Sequence, residues 1–379
     1  MPHRPALSLQ AVAALVAALA LGAGGCGRLL GVRGTILDRP TVLEQQALGK
    51  RAVTEGGPVL LTLGAAPQTA AGREELAALE AGLESRYESL AGIEPKDLET
   101  RIWQAVILHN RAVLKLRLGE RDEADRLLGQ ALRHCTAYGL ETVRWQVMHA
   151  LGDIRGGEAG HALHVEAAEL IESAPLLSPV ERELEDRDRW RRLYARLVAE
   201  AMDSGDPEAA LEHALGRRAV ELARAGGAEA IRFPPGPMND LVQDLSDARA
   251  AAAAARRELC ALPIEKLAPA GGPPDPKAAR LQERWAETRA ALQAAREALA
   301  AAPAAGGLVV PVRADIMEVR EILFRDTALL MLEPAGGEDY AAFLLTTEEF
   351  ETRTLRLHDG HEAVLQPFQG LLAPPIQRL

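Results

Sequence analysis

The chain has few aromatic residues and few cysteines. Only 3% of its 379 residues are aromatic, so a folded core must be built from leucine, valine and alanine, which suits closely packed helices. Three cysteines are too few for a fold that depends on a disulfide framework. Hydrophobic residues nevertheless make up 48% of the chain, which excludes disorder throughout. The length allows about two or three domains.

Basic residues are also in short supply. The sequence has 43 Lys and Arg against 54 Asp and Glu, a formal net charge of -11. A nucleic-acid-binding protein needs a basic face to neutralise phosphates. The charge balance therefore argues against a nucleic-acid partner, and it places no restriction on protein partners.

The only long apolar run, at residues 11–25, is too short for a typical membrane-spanning helix and has the length of a signal-peptide core. We interpret residues 1–25 as a signal peptide. The sequence AGGC at residues 23–26 resembles a bacterial lipobox, in which Cys26 would carry a diacylglycerol thioether and become the mature N-terminus. An ordinary secretory signal is the alternative. The lipobox implies a lipid anchor in the bacterial cell envelope, and Gly27, in place of Asp, favours the outer membrane facing the periplasm.

A helical array is predicted over residues 73–231, after a tether or linker at residues 26–72. Residues 108–135 contain two helical periods separated by Gly119, which permits a tight turn between helices. Small and apolar residues occupy the positions that they have in a tetratricopeptide repeat, which this segment resembles. These residues are Asn110, Ala112, Ala124, Leu128 and Ala131.

Two further segments fit the same interpretation. Residues 193–223 repeat the pattern around Gly205. Residues 148–171, which lie between this unit and the first, are interpreted as a degenerate unit with a disturbed turn. Two alanine-rich helical pairs could also imitate such a repeat by chance.

An antiparallel helical hairpin is predicted over residues 232–304. Two stretches each have a heptad spacing of apolar and small residues, and a proline-rich loop at residues 262–277 separates them. The two seams are Leu241, Leu245, Ala248, Ala252, Ala255 and Leu259, and Leu281, Trp285, Thr288, Leu292, Ala295 and Leu299. Two amphipathic helices packed elsewhere are the alternative.

The C-terminal segment changes character. A short helix at residues 314–323 precedes three apolar, strand-like runs at residues 328–333, 340–346 and 350–357, with a turn at 334–339. We therefore predict a mainly α protein: a tetratricopeptide-like array and an antiparallel hairpin, followed by a small, incomplete α/β segment over residues 305–379.

The order of these parts, with DIMEVREILFRDTALLMLEPAGGEDYAAFLLTTEEFETRTLRL at residues 315–357, resembles proteins with a CHAT domain, a caspase-like peptidase domain carried behind tetratricopeptide arrays. That family's chemistry needs a His followed by Gly and a later Cys. His358 and His361 are not followed by Gly, and no cysteine follows Cys260. The resemblance therefore implies a partial CHAT domain that supplies scaffold and ancestry without peptidase activity.

Other candidate sites are weaker. His161 and His164 have helical i, i+3 spacing, but zinc asks for three or four ligands and the spacing marks no third one, so we interpret them as an exposed pair. No metal and no cofactor is predicted. Cys135 and Cys260 could pair in an oxidising compartment, but both lie in predicted helices far apart in sequence, so we predict buried free thiols.

The sequence therefore favours a membrane-anchored, non-catalytic helical-repeat scaffold that binds a protein or peptide. Trp103, Asn110 and Trp145 are its candidate interaction surface, with core packing as the alternative for the tryptophans. A truncated or split CHAT-type cysteine peptidase, completed by a second chain that brings the Cys–His pair, is the other hypothesis, and a decayed gene is a third.

Overall fold

The computed structural model describes residues 61, 69–93, 96–173, 181, 184, 187–226, 236–267, 275–302, 316–323, 327–335 and 339–356. The helices of this part are α1 (Ala70–Ala91), α2 (Leu98–Leu118), α3 (Arg121–Tyr138), α4 (Glu141–Arg155), α5 (Gly157–Ser173), α6 (Arg187–Ser204), α7 (Pro207–Gly226), α8 (Pro237–Cys260), α9 (Ile264–Leu267), α10 (Pro276–Ala300) and α11 (Ile316–Ile322). The strands are β1 (Leu329–Pro334), β2 (Asp339–Leu345) and β3 (Phe350–Arg356). The predicted fold class is confirmed: mainly α, with helices packed in adjacent pairs and a small antiparallel sheet at the end.

Helices α1 to α7 stack in the order of the sequence. Each packs on the next, and α2 also contacts α4 while α5 contacts α7. Contacts between near neighbours in the chain are typical of helical-repeat proteins, in which each unit buries its face against the adjacent unit. The structure thus has repeat-like packing over the predicted array.

The first helix pair shows why the sequence turns where it does. The Asp97 carboxylate caps α2 by accepting a hydrogen bond of 2.7 Å from the Thr100 backbone N–H. Gly119 ends the helix with φ +88°, a left-handed conformation that strongly favours glycine. Ala112 and Ala124 are fully buried, so α2 and α3 approach closely, as the sequence predicts.

The predicted hairpin is formed by α8 and α10, which pack against each other. Leu245, Ala252, Leu292 and Leu299 are the buried centre of their seam. The hairpin also lies on α2 and α3, where the end of α8 and the following turn enter the same apolar core. Arg101 on α2 holds this turn by donating a hydrogen bond of 3.0 Å to the Cys260 carbonyl.

The sheet is an antiparallel meander in the order β1-β2-β3. Leu345 pairs with Leu329 on one side and with Phe350 on the other, and the strands agree with the three predicted runs to within one residue at each end. One face of the sheet, with Phe343, packs on α6 and α7. At this joint Arg217 and Arg218 of α7 both pair with the buried carboxylate of Glu333.

Some sequence predictions lie outside the described residues, namely those on the signal peptide, Cys26, His358 and His361. Of the predicted tether, Leu61 is described, and it is buried against α1 and α2. Among the described helices, none is both long enough and apolar enough to cross a membrane.

Candidate functional site

A cluster of two histidines and an aspartate lies where α4 and α5 cross. His149 and Asp153 are four residues apart on α4 and so share one face of that helix. His164 reaches them from α5. The helices can meet so closely because Gly152 and Gly160 face each other: a Cβ on Gly160 would lie 2.5 Å from the Gly152 carbonyl oxygen.

The polar atoms of the three side chains converge. His149 Nε2 lies 3.7 Å from Asp153 Oδ2, and His164 Nε2 lies 3.3 Å from Asp153 Oδ1. One nitrogen of each imidazole and one carboxylate oxygen all lie within 4.8 Å of one another. The three side chains therefore offer a set of atoms that could hold a metal ion.

A second layer of charged groups surrounds this cluster. Glu200 on α6 approaches the other ring nitrogen of His164, with 3.5 Å between Nδ1 and Oε1. The same carboxylate contacts His161 Nδ1 at 2.9 Å and accepts a hydrogen bond of 2.7 Å from Arg196 Nε. Because α4, α5 and α6 each contribute, the site joins two successive units of the helical stack.

His164 is the most deeply buried member, with 1% of its side chain exposed. Neither ring nitrogen forms an aligned hydrogen bond with any of the residues that the structure describes, although both lie close to carboxylate oxygens. A buried polar group without an aligned partner costs about 1–3 kcal/mol, a cost that a bound water or ion would offset.

Both acidic members of the site stay ionised at neutral pH. Burial raises the pKa of the Asp153 carboxyl, but contacts with His164, His149 and Arg196 outweigh this and hold the pKa below its ordinary value. Burial likewise raises the pKa of Glu200, and its hydrogen bonds with Arg196 and His161 outweigh it, so the net shift is again downward.

The interpretation of His161 and His164 as an exposed pair is wrong for His164. His161 is exposed, but His164 is turned into the α4–α5 contact. The two further members of the cluster come from another helix, at positions that no spacing on α5 could mark. In the sequence, the one feature that could have indicated this cluster is the i, i+4 spacing of His149 and Asp153, which places them on one face of α4.

The candidate interaction residues are placed mostly in the interior. Asn110 is 1% exposed and accepts a hydrogen bond of 2.8 Å from the Leu61 backbone N–H. Trp145 is 3% exposed and packs in the core of α4 to α6. This corrects the assignment of Asn110 to an interaction surface, since its side chain holds the Leu61 backbone, and for Trp145 it confirms core packing, the alternative that the sequence offered. Trp103 is half-buried, and its role stays a prediction.

Cys135 and Cys260 are both buried and unbridged, which confirms that sequence prediction. Burial raises the pKa of the Cys135 thiol above its ordinary range and that of Cys260 to about 12. Both thiols therefore stay protonated at neutral pH. A protonated, buried thiol is a poor nucleophile, so neither residue is suited to nucleophilic catalysis.

Comparison of the chain with protein-family models, with curated proteins and with solved structures gives no match.

Proposed function

We propose that this protein is a membrane-anchored, non-catalytic helical-repeat scaffold that mediates protein–protein interaction. The observation that carries the proposal is the sequential packing of α1 to α7, in which each helix rests on its neighbours in the chain. Such stacks bury their inner seams and present an extended outer surface, which is how helical-repeat proteins hold peptides and other proteins.

We propose that the partner binds at the outer edge of the sheet, along β1. Among the described residues, β1 pairs with β2 alone. Leu332 in the middle of β1 is 38% exposed, an unusual level for a large apolar side chain in this part of the chain. An apolar outer strand with an unpaired backbone edge favours addition of a strand from another chain.

Site-specific crosslinking in the native cells tests this proposal. A photo-reactive benzoylphenylalanine replaces Leu332 in one variant and the exposed Arg133 of α3 in a matched control. We expect one adduct of defined mass from position 332 and none from position 133. No adduct from position 332, or the same set of adducts from both positions, would contradict docking at β1.

A second candidate is a subunit of a split CHAT-type cysteine peptidase. The order of α11, β1, β2 and β3 favours it, since a short helix that leads into an antiparallel pair of strands is the part of the CHAT resemblance that this chain carries. A crosslinked partner with a Cys–His pair, alkylated by iodoacetamide faster in the complex than alone, would support it. A partner without that pair would leave the scaffold as the better account.

The lipid anchor is part of the proposal and has its own test. Mass spectrometry of protein extracted from native membranes is expected to give an N-terminal peptide that begins at Cys26 and carries acyl chains. Cys26→Ser should release the protein from the membrane fraction, while Gly27→Ala should leave it there. An unacylated wild-type mass would remove the anchor from the proposal.

A further inference from the structure

We infer that His149, Asp153 and His164 form a divalent-metal site of the zinc class, with Glu200 as the group that orients His164. The site goes beyond the scaffold function and does not depend on it. It would tie α4 to α5, and through Glu200 to α6, so that a bound ion fixes the relative position of two successive repeat units.

The donor set matches the ion. Two imidazoles and one carboxylate are ligands that Zn²⁺ takes in proteins, with the remaining coordination position open to water. Bonds of about 2.0–2.2 Å from the metal place neighbouring ligand atoms roughly 3.3–3.6 Å apart in a tetrahedron. Each histidine already lies near one Asp153 oxygen, His164 at 3.3 Å from Oδ1 and His149 at 3.7 Å from Oδ2. One atom of each of the three residues lies within 4.8 Å of the other two, so a small rotation of the side chains brings all three onto one ion.

The surroundings of His164 also resemble those of a zinc-ligating histidine. In zinc sites a ligating histidine usually donates its other ring N–H to a carboxylate, which fixes the tautomer and the ring orientation. Glu200 Oε1 lies 3.5 Å from His164 Nδ1. With the proton on Nδ1, Nε2 carries the lone pair that faces Asp153 and His149. An ion at Nε2 then explains why that buried atom has no aligned hydrogen bond among the described residues.

The net charge of the site and its exposure to solvent both allow a divalent cation to bind. With neutral histidines, Asp153 and Glu200 contribute -1 each and Arg196 contributes +1, so the net charge of the site is -1. Arg196 Nη1 lies 3.5 Å from Asp153 Oδ1 and competes with a cation there, while Asp153 Oδ2 is directed to His149. The side chains of His149 and Asp153 are 18% and 25% exposed, so an ion can enter from solvent.

A metal-free arrangement is the competing explanation. A protonated His164 could bridge the carboxylates of Asp153 and Glu200 as a buried ion pair, without any ligand role for His149. The two explanations differ in what His149 does, and this difference decides the experiment.

The test uses the full mature chain, without a polyhistidine tag, after treatment with a chelator. Isothermal titration with ZnCl₂ is expected to show one equivalent bound with micromolar or tighter Kd. At a hundredfold excess of Zn²⁺ over Kd, Tm should rise by roughly 3–8 °C. Co²⁺ in place of Zn²⁺ should give the intense visible absorption of a tetrahedral N/O site.

The variants are chosen to leave the fold intact, which far-UV circular dichroism checks. His149→Gln and Asp153→Asn, at partly exposed positions, should each weaken Zn²⁺ binding at least 100-fold, and Glu200→Gln by about 10- to 100-fold. His161→Gln is the matched control, because His161 lies on the same helix and contacts the same Glu200, yet is not a ligand. It should change Kd less than threefold.

Three results would overturn the site. These are no binding by the wild type, binding that survives both His149→Gln and Asp153→Asn, or binding that His161→Gln abolishes. The first would leave the protonated His164 bridge as the explanation of the geometry. The other two would indicate Zn²⁺ bound at other residues of the chain.

Discussion

The pair α2–α3 and the pair α4–α5 join their helices by different means. In α2–α3 the contact is made by alanines and aliphatic side chains, and the hairpin covers it with further apolar residues. In α4–α5 two glycines touch and a histidine is packed between carboxylates. The first contact is mainly apolar, and its buried histidine has an aligned backbone partner, whereas the second leaves the buried ring nitrogens of His164 without one.

The two pairs also contain contrasting buried histidines. His134 on α3 directs Nε2 to the Arg101 carbonyl at 3.1 Å and lies beside the Arg101 guanidinium, so its surroundings are cationic. His164 on α5 lies between two carboxylates. Burial is nearly the same, at 4% and 1% exposed. Burial therefore does not decide what a histidine does; the charge of its neighbours does.

The largest expected loss of stability follows from a change in the α8–α10 hairpin, which covers α2 and α3. Arg256 on α8 forms a two-pronged ion pair with Glu181 at 2.6 and 2.7 Å, and both side chains are 1% exposed. Arg256→Ala removes both hydrogen bonds and the charge that this pair gives the buried Glu181 carboxylate, so the free energy of unfolding in urea should fall by about 3–5 kcal/mol. The Cys135 thiol should also react faster with a thiol reagent.

The control for that change is Arg284→Ala on the same hairpin. Arg284 pairs with Glu258 at the surface, with both side chains about half exposed, so its loss should cost less than about 1 kcal/mol. Equal losses for the two variants would mean that the buried pair does not anchor the hairpin.

The next effect tests the glycine contact of α4–α5. In Gly160→Ala the new Cβ meets the backbone oxygen of Gly152, so the helices must separate, and the free energy of unfolding should fall by about 1–3 kcal/mol. Gly129→Ala on α3 is the matched change, because nothing lies within 4 Å of its Cβ position. It should stabilise the protein by about 0.5–1 kcal/mol. If both changes stabilise the protein, the close approach of α4 and α5 is refuted.

The smallest expected effect is a pH dependence of stability that arises from His134, the buried histidine of α3. Burial first, and then Arg101, lower the pKa of His134 from 6.5 to about 3. The unfolded chain gains a proton at this residue as the pH falls below 6.5 and the native protein does not. Stability is therefore present above pH 6.5 and is lost on acidification toward pH 3, by at most about 1.4 kcal/mol per pH unit.

The measurement is the urea midpoint between pH 7 and pH 5, above the range where most carboxylates titrate. His134→Gln keeps an amide donor for the Arg101 carbonyl and has no titrating group. Its dependence on pH should be flatter than that of the wild type. Equal slopes would mean that His134 takes up its proton over the same pH range in the native and the unfolded protein, which would refute the lowered pKa.

The sequence alone determined the elements and their order. Periodicity identified the helices of the array and the heptad seams of α8 and α10, and Gly119 marked the turn between α2 and α3. Alternation and the turn at residues 334–339 predicted the sheet. These features depend on local backbone preference and on which residues share a face of one element, and both can be read along the chain.

Only the tertiary structure decided which faces meet. Trp145 and Asn110 looked available to a partner, but packing turned both inward. His164 looked like one of an exposed pair until the α4–α5 crossing placed it against Asp153, and α7 brought two arginines to Glu333. The reason is that the crossing of two helices depends on steric fit between residues distant in sequence, such as Gly152 and Gly160, and no periodicity within a single helix contains that information.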